Sequence, residues 1–184
     1  MFLDLGVGII IAVLLSKIFD VGLTAQVILP AVVFSLFPDL DVFVELWKRG
    51  RVGGKIHGHH RELTHFPLTY LPLVLFIWFF AGSFWAILFG AAILAHFLHD
   101  SIGMGWGIKW LWPFSKKTYK FFSEKDGRFS KNFIVCWQPE ELEKIVLEHG
   151  DNHWVKNFYL KFHPLALFEL VVFLMAVAVL YVFR

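Results

Sequence analysis

Apolar residues gather into five long runs along the chain, at 5–19, 21–37, 66–81, 84–100 and 164–183. A bilayer core about 30 Å thick asks for roughly 20 helical residues, with ~17 a practical minimum. The last run meets that length comfortably, and the other four are marginal. Very short turns, "DVGL" and "GS", join those four in pairs. The economical reading is two helical hairpins followed by a C-terminal span. The expected fold class is therefore an all-α integral membrane protein of about five transmembrane helices with a small cytoplasmic segment. A signal peptide would also begin with an apolar run. Here Asp4 stands where a basic segment would, and no small-residue cleavage site follows, so the first run is read as a retained span.

One stretch, 101–163, has soluble-like patterning. Within it, "QPEELEKIVLEHG" (138–150) reads as an amphipathic helix, with Leu142, Ile145, Val146 and His149 at i, i+3, i+4 and i+7. Pro139 suits its first turn, Glu140 and Glu141 suit the N-terminal dipole, and Gly150 suits the C-terminal cap. The preceding "RFSKNFIVCW" has short-strand composition. The expected division is a membrane-embedded metal-site domain over 1–117, a cytoplasmic insertion over 118–163 and a C-terminal transmembrane helix over 164–184.

Composition sharpens this picture. Of 184 residues 58% are hydrophobic, with 22 Phe and 8 Trp. A soluble core of this size cannot hide so much apolar surface. The net charge of +2 makes no case for nucleic acid, but the placement of the charges is informative. Lys48, Arg49, Arg51, Lys55 and Arg61 occupy 38–65, ten further Lys and Arg occupy 101–163, and the hairpin turns have none. Positive charge stays on the cytoplasmic side. Both basic segments and the N-terminus are therefore expected inside, with the hairpin tips and Arg184 outside. The single cysteine, Cys136, excludes an intrachain disulfide and a thiolate cluster. Any metal must be held by His and carboxylate.

Three polar motifs arrive at the cytoplasmic rim under this topology. "FPDLD" (37–41) ends the second run, "HHRELTH" (59–65) precedes the third, and "AHFLHD" (95–100) ends the fourth. At about 100° per helical residue, His96, His99 and Asp100 share one face. Ionisable groups bordering a span are costly, and function is their default explanation. Pro38 is expected to stop the second helix and leave Asp39 and Asp41 in an irregular turn. A continuous helix would set His60 and His65 about 140° apart, so the third helix is expected to begin near Thr64, with Pro67 in its first turn and His60 on the loop before. Mixed His/Asp ligation suits Zn²⁺, Mn²⁺ or Fe²⁺ better than Mg²⁺ or Ca²⁺. More than four ligands would allow two ions. His57 and His59 lie among Lys and Gly as reserve candidates. His149, His153 and His163 show no ligand spacing. Gln26 reads as a helix–helix hydrogen-bonding residue, and Glu169 as one that snorkels or pairs.

These motifs resemble the YdjM-like family of predicted membrane-bound metal-dependent hydrolases. The family pattern of "PDxD", "HRxxTHS", "HxxxD" and "WPF" is met by "FPDLD" (37–41), "HRELTHF" (60–66), "AHFLHD" (95–100) and "GIKWLWPFSKK" (107–117). The resemblance spans 21–117. It implies metal ligands Asp39, Asp41, His60, His65, His96 and Asp100. Two departures are visible: Phe66 stands where the family has Ser, and no His precedes position 57, where the family often has "TH". The "HxxxD" helix is also similar to zinc-dependent phospholipase C and zinc-nuclease sites, which implies phosphoester hydrolysis.

The function expected is a membrane-bound metal-dependent hydrolase acting on a phosphoester at the cytoplasmic face. It would use one or two divalent ions, Zn²⁺ first and Mn²⁺ or Fe²⁺ next. Asp41, Arg61 and His99 are the catalytic candidates, with Arg61 a clamp for a phosphate oxygen and His99 alternatively a group that orients a ligand. Membrane lipid and a small-molecule or lipid phosphoester are the partners expected, and no nucleic acid. The competing reading is a metal transporter or sensor built on the same His/Asp cluster. Transport asks for polar residues deep in several spans, and the third and fifth runs are nearly all apolar.

Overall fold

The computed structural model describes residues 1–50, 52–55, 64–103, 105–125, 128–129 and 132–183. Among these, seven α-helices follow in chain order: α1 (Phe2–Ile18), α2 (Ala25–Leu36), α3 (Asp41–Arg49), α4 (Leu71–Ala81), α5 (Ser83–Ser101), α6 (Pro139–His149) and α7 (Pro164–Phe183). Four short strands lie between α5 and α6: β1 (Ile102–Gly103), β2 (Thr118–Lys125), β3 (Arg128–Phe129) and β4 (Ile134–Trp137). The chain divides into two compact units, one of Met1–Pro38, Thr69–His96 and Ala166–Arg184, the other of Asp39–Leu68 and Phe97–Leu165.

The first unit holds the apolar helices. Gly6 lets α1 approach the backbone of α7, since a Cβ there would lie 2.9 Å from the Phe173 Cα. Gly8 does the same toward α2, where a Cβ would meet the Ser35 Oγ at 2.8 Å and the Ala31 carbonyl at 3.0 Å. Small residues continue these contacts: Ala12, Ala31 and Ala176 are fully buried in clusters with Val27, Leu88, Ile9 and Val13. Close packing through small side chains is how helices associate in lipid, where burying apolar surface brings no gain. No side chain of α4 is buried, although the helix is apolar all round. Such a helix needs an apolar solvent. Among the described residues, three helical segments are long and apolar enough to cross a membrane, Ala25–Arg49, Ser83–Ser101 and Pro164–Phe183, and Pro67–Ala81 is a shorter apolar one. Each expected run thus forms helix, with Gly82 (φ +91°) making the tight turn between α4 and α5.

The second unit corrects the all-helical expectation. β2 pairs antiparallel with β4 (Thr118 opposite Trp137, Phe121 opposite Ile134), antiparallel with β3 and parallel with β1. The fold is mostly helical with this small sheet added. Alternation explains it: Thr118 and Lys120 are buried while Tyr119 is not, a period of two. Gly107 secures the segment before β2, where a Cβ would overlap the Tyr119 carbonyl and φ is +80°. Ile108 and Tyr119 then exchange backbone hydrogen bonds of 3.1 and 2.8 Å. The amphipathic helix forms as α6, with Leu142 and Val146 buried. The Glu141 carboxylate accepts the Gln138 backbone N–H at 2.8 Å, closing a capping box. Gly150 does cap α6, but in an extended conformation rather than a left-handed one. Its lack of a Cβ makes room for the backbone of Gly54 and Lys55.

Two local expectations change. Pro38 does not stop the helix: the chain passes through a 3-10 turn, Phe37–Leu40, and resumes as α3. α3 itself is amphipathic in an inverted sense. Asp41 and Glu45, one turn apart, are buried, whereas Phe43 and Trp47 are exposed. Glu45 accepts from the Arg49 guanidinium at 2.6 Å. The third expected helix starts later than Thr64: a 3-10 turn, Pro67–Tyr70, precedes α4.

Candidate metal centre

In the second unit, one imidazole gathers three carboxylates. His65 is fully buried, with the Phe97 ring edge-on at 6.2 Å. Its neighbour Phe66 stacks on Trp112 of the "WPF" motif at 4.6 Å. An aromatic at position 66 therefore packs the segment that carries the histidine. His65 Nδ1 lies 3.2 Å from Asp41 Oδ2, while Nε2 lies 3.3 Å from Asp100 Oδ2 and 3.7 Å from Asp39 Oδ1. Thr64 Oγ1 is 3.4 Å from Nδ1. Asp41 opens α3, where the helix dipole favours a carboxylate.

Burial disfavours the charged ring, but hydrogen bonding to Asp100, Asp39 and Asp41 outweighs it and pushes the His65 pKa up to about 10. The separations also suit an ion. Two donors each about 2.0–2.2 Å from a tetrahedral Zn²⁺ stand roughly 3.3–3.6 Å apart. The spacings of Nε2 to Asp100 and Asp39 fall close to that range, so these atoms fit ligands of one ion. Asp41 on Nδ1 instead fits the carboxylate that orients a ligating histidine.

In the first unit, His96 is buried on α5. Its Nδ1 donates to the Ser35 carbonyl at 2.8 Å and lies 3.3 Å from Asp4 Oδ1. Ser35 sits in the last turn of α2, and Pro38, three residues on, has no N–H to give to that carbonyl. Asp4 and Glu169, both buried, face the N-terminal ammonium at 3.1 and 3.2 Å. By donor type, Asp39 and His65 in the second unit, and His96 in the first, are each able to ligate a metal ion.

The expected residues are therefore distributed as follows. Asp39, Asp41, His65 and Asp100 come together in the second unit, and His96 carries its own buried pair in the first. His99 is half-buried on α5. His60 and Arg61, with the reserves His57 and His59, lie outside the described residues. Glu169 pairs rather than snorkels, and Gln26 is exposed on α2. His163 stacks on Phe158 at 5.2 Å. Sequence reasoning missed Asp4 and Glu45. The available signal for both was a carboxylate on a helix whose buried face it had to share.

A family model described as YdjM inner membrane protein matches residues 4–184, well beyond the motif-bearing 21–117. None of the curated proteins and none of the solved structures compared with the chain matches it. The match and the apolar helices together place the chain in a membrane.

Proposed function

This chain belongs to the YdjM inner membrane protein family, and on that premise we propose that it is a membrane-bound metal-dependent hydrolase whose substrate is a phosphoester. Asp39, His65 and Asp100 are metal ligands in this reading, and so is His96. The observation that carries it is the surround of His65, where one ring meets three carboxylates. A protonated imidazole answers one negative charge, and a divalent cation answers more of them. Imidazole with carboxylate oxygen suits Zn²⁺ first, then Mn²⁺ or Fe²⁺.

When bound, such an ion supplies Lewis-acid polarisation of a phosphoryl oxygen. The chain's own residues do the rest. Asp41 holds His65 through Nδ1 and keeps Nε2 as the donor. His99, beside Asp100, carries a proton to or from the reacting oxygens. Arg61 clamps a phosphate oxygen through paired N–H groups. Five spans, with the N-terminus and the site at the cytoplasmic rim, complete the reading. The basic residues of 38–65 and 101–163 and the helical state of all five apolar runs support it.

The test is metal analysis of the detergent-purified protein, followed by assay of a generic phosphomonoester and phosphodiester. Retained Zn²⁺, lost in His96→Ala, with chelator-sensitive hydrolysis is the expected result. Wild type holding no metal above a scrambled-site control sinks the reading. Metal retained without hydrolysis, and moved across liposomes, would make the protein a transporter instead.

A further inference from the structure

Asp4 stands in the first turn of α1, 92 positions before His96, and both side chains are buried in the same unit. A carboxylate at the third residue of an apolar helix is expensive unless it is partnered, and besides the N-terminal ammonium at 3.1 Å it has His96. Its oxygen lies 3.3 Å from His96 Nδ1, the same nitrogen that donates to the Ser35 carbonyl at 2.8 Å. A carbonyl and a carboxylate are both acceptors, so Nδ1 must carry the proton. In the neutral ring, Nε2 then keeps its lone pair. We propose that Asp4 is a positioning residue that, with the Ser35 carbonyl, fixes His96 as the Nδ1–H tautomer and so makes Nε2 the nitrogen offered to a divalent metal ion.

The proposal rests on the reading of His96 as a ligand and adds a residue to it. A carboxylate behind a ligating imidazole both orients the ring and raises its basicity. Gly8 contributes indirectly, since its missing Cβ lets α1 lie against Ser35 and brings Asp4 within reach of His96.

The experiment uses the full chain in detergent, with Zn²⁺ as the probe. Asp4→Asn keeps the size and removes the charge, Asp4→Glu restores it, and His96→Ala removes the ligand. Zn²⁺ affinity by chelator competition should fall roughly 10–100-fold in Asp4→Asn and recover most of that loss in Asp4→Glu. The ring ¹⁵N spectrum of the metal-free wild type, assigned by the signal lost in His96→Ala, should show a protonated Nδ1. Asp4→Asn within threefold of wild type, while His96→Ala abolishes binding, overturns the role of Asp4 and leaves the metal reading standing. Wild type that binds no Zn²⁺ overturns the metal reading and this proposal with it. Should Asp4→Asn fail to fold, the wild-type spectrum decides alone, and an unprotonated Nδ1 overturns the proposal.

Discussion

Asp41 and His65, 24 positions apart and both buried, meet at 3.2 Å through Oδ2 and Nδ1. The contact uses the ring nitrogen opposite the one that faces Asp39 and Asp100. Asp41 should therefore act on the metal through His65. Asp41→Asn is expected to weaken Zn²⁺ binding by roughly 10–100-fold without changing the number of ions bound at saturation. His65→Ala should lower that number. Elemental analysis after dialysis against a graded chelator series separates the two, and an unchanged affinity in Asp41→Asn would remove the orienting role.

The raised pKa of His65 fixes a pH dependence. In the metal-free protein the folded-state value, about 10, lies above the ordinary 6.5. Protonation therefore stabilises the fold fully below pH ~6.5, and that contribution is lost as pH rises toward ~10. Melting temperature of the metal-free protein should fall over that window, and His65→Gln should flatten the profile. Metal must displace the same proton, so Zn²⁺ uptake near pH 7 should release about one proton. A weakly buffered indicator dye reads it directly.

Gly8→Val tests the approach of α1 to α2. The added Cβ would meet the Ser35 Oγ and the Ala31 carbonyl at 3.0 Å or less. Overpacking of this kind costs about 1–3 kcal/mol. Unfolding by sodium dodecyl sulfate at increasing mole fraction should show the loss, and Gly22→Val, with far more room, should not.

Leu75 lies mid-way along α4 and is 62% exposed. Leu75→Ala should leave packing unchanged, because the side chain touches little protein. Leu75→Lys places a charge where lipid is expected, at a cost of roughly 3 kcal/mol in membrane insertion. A glycosylation reporter of insertion in microsomes would show reduced integration, and equal integration of both variants would argue that α4 is not lipid-facing.

Gly107→Ala should loosen the sheet. The new Cβ would overlap the Tyr119 carbonyl at a backbone angle that favours glycine. The Ile108–Tyr119 hydrogen bonds would have to part, and strain of this sort costs of order 1–3 kcal/mol. Faster proteolytic cleavage between residues 105 and 117 is the expected sign.

How much of this was legible beforehand follows from the range of each signal. Runs such as 164–183 announce themselves, because lipid demands apolarity over a whole helix length. α6 was equally plain, since Pro139, Glu141 and Leu142 act within one turn. β2 was not read, because "TYKFFSEK" turns a polar face, Thr118 and Lys120, inward and so lacks the expected apolar alternation. α3 was hidden by the same inversion. Asp39, His65 and Asp100 were identified from their motifs, but the division of labour that sets Asp41 on Nδ1 exists only in three dimensions. In the sequence Asp4 speaks only against a signal peptide, and its partner His96 is too far along the chain for any local pattern to join them.

Pro38 acts through a hydrogen atom that it does not possess. An alanine there would regain an amide proton three residues past Ser35, in a 3-10 turn whose bonds run back by three. That proton would compete with the His96 ring for a single carbonyl. Pro38→Ala should thus lengthen a helix, strengthen it locally, and still weaken metal binding. A residue that touches no ion would be tuning one by staying silent in the backbone ladder.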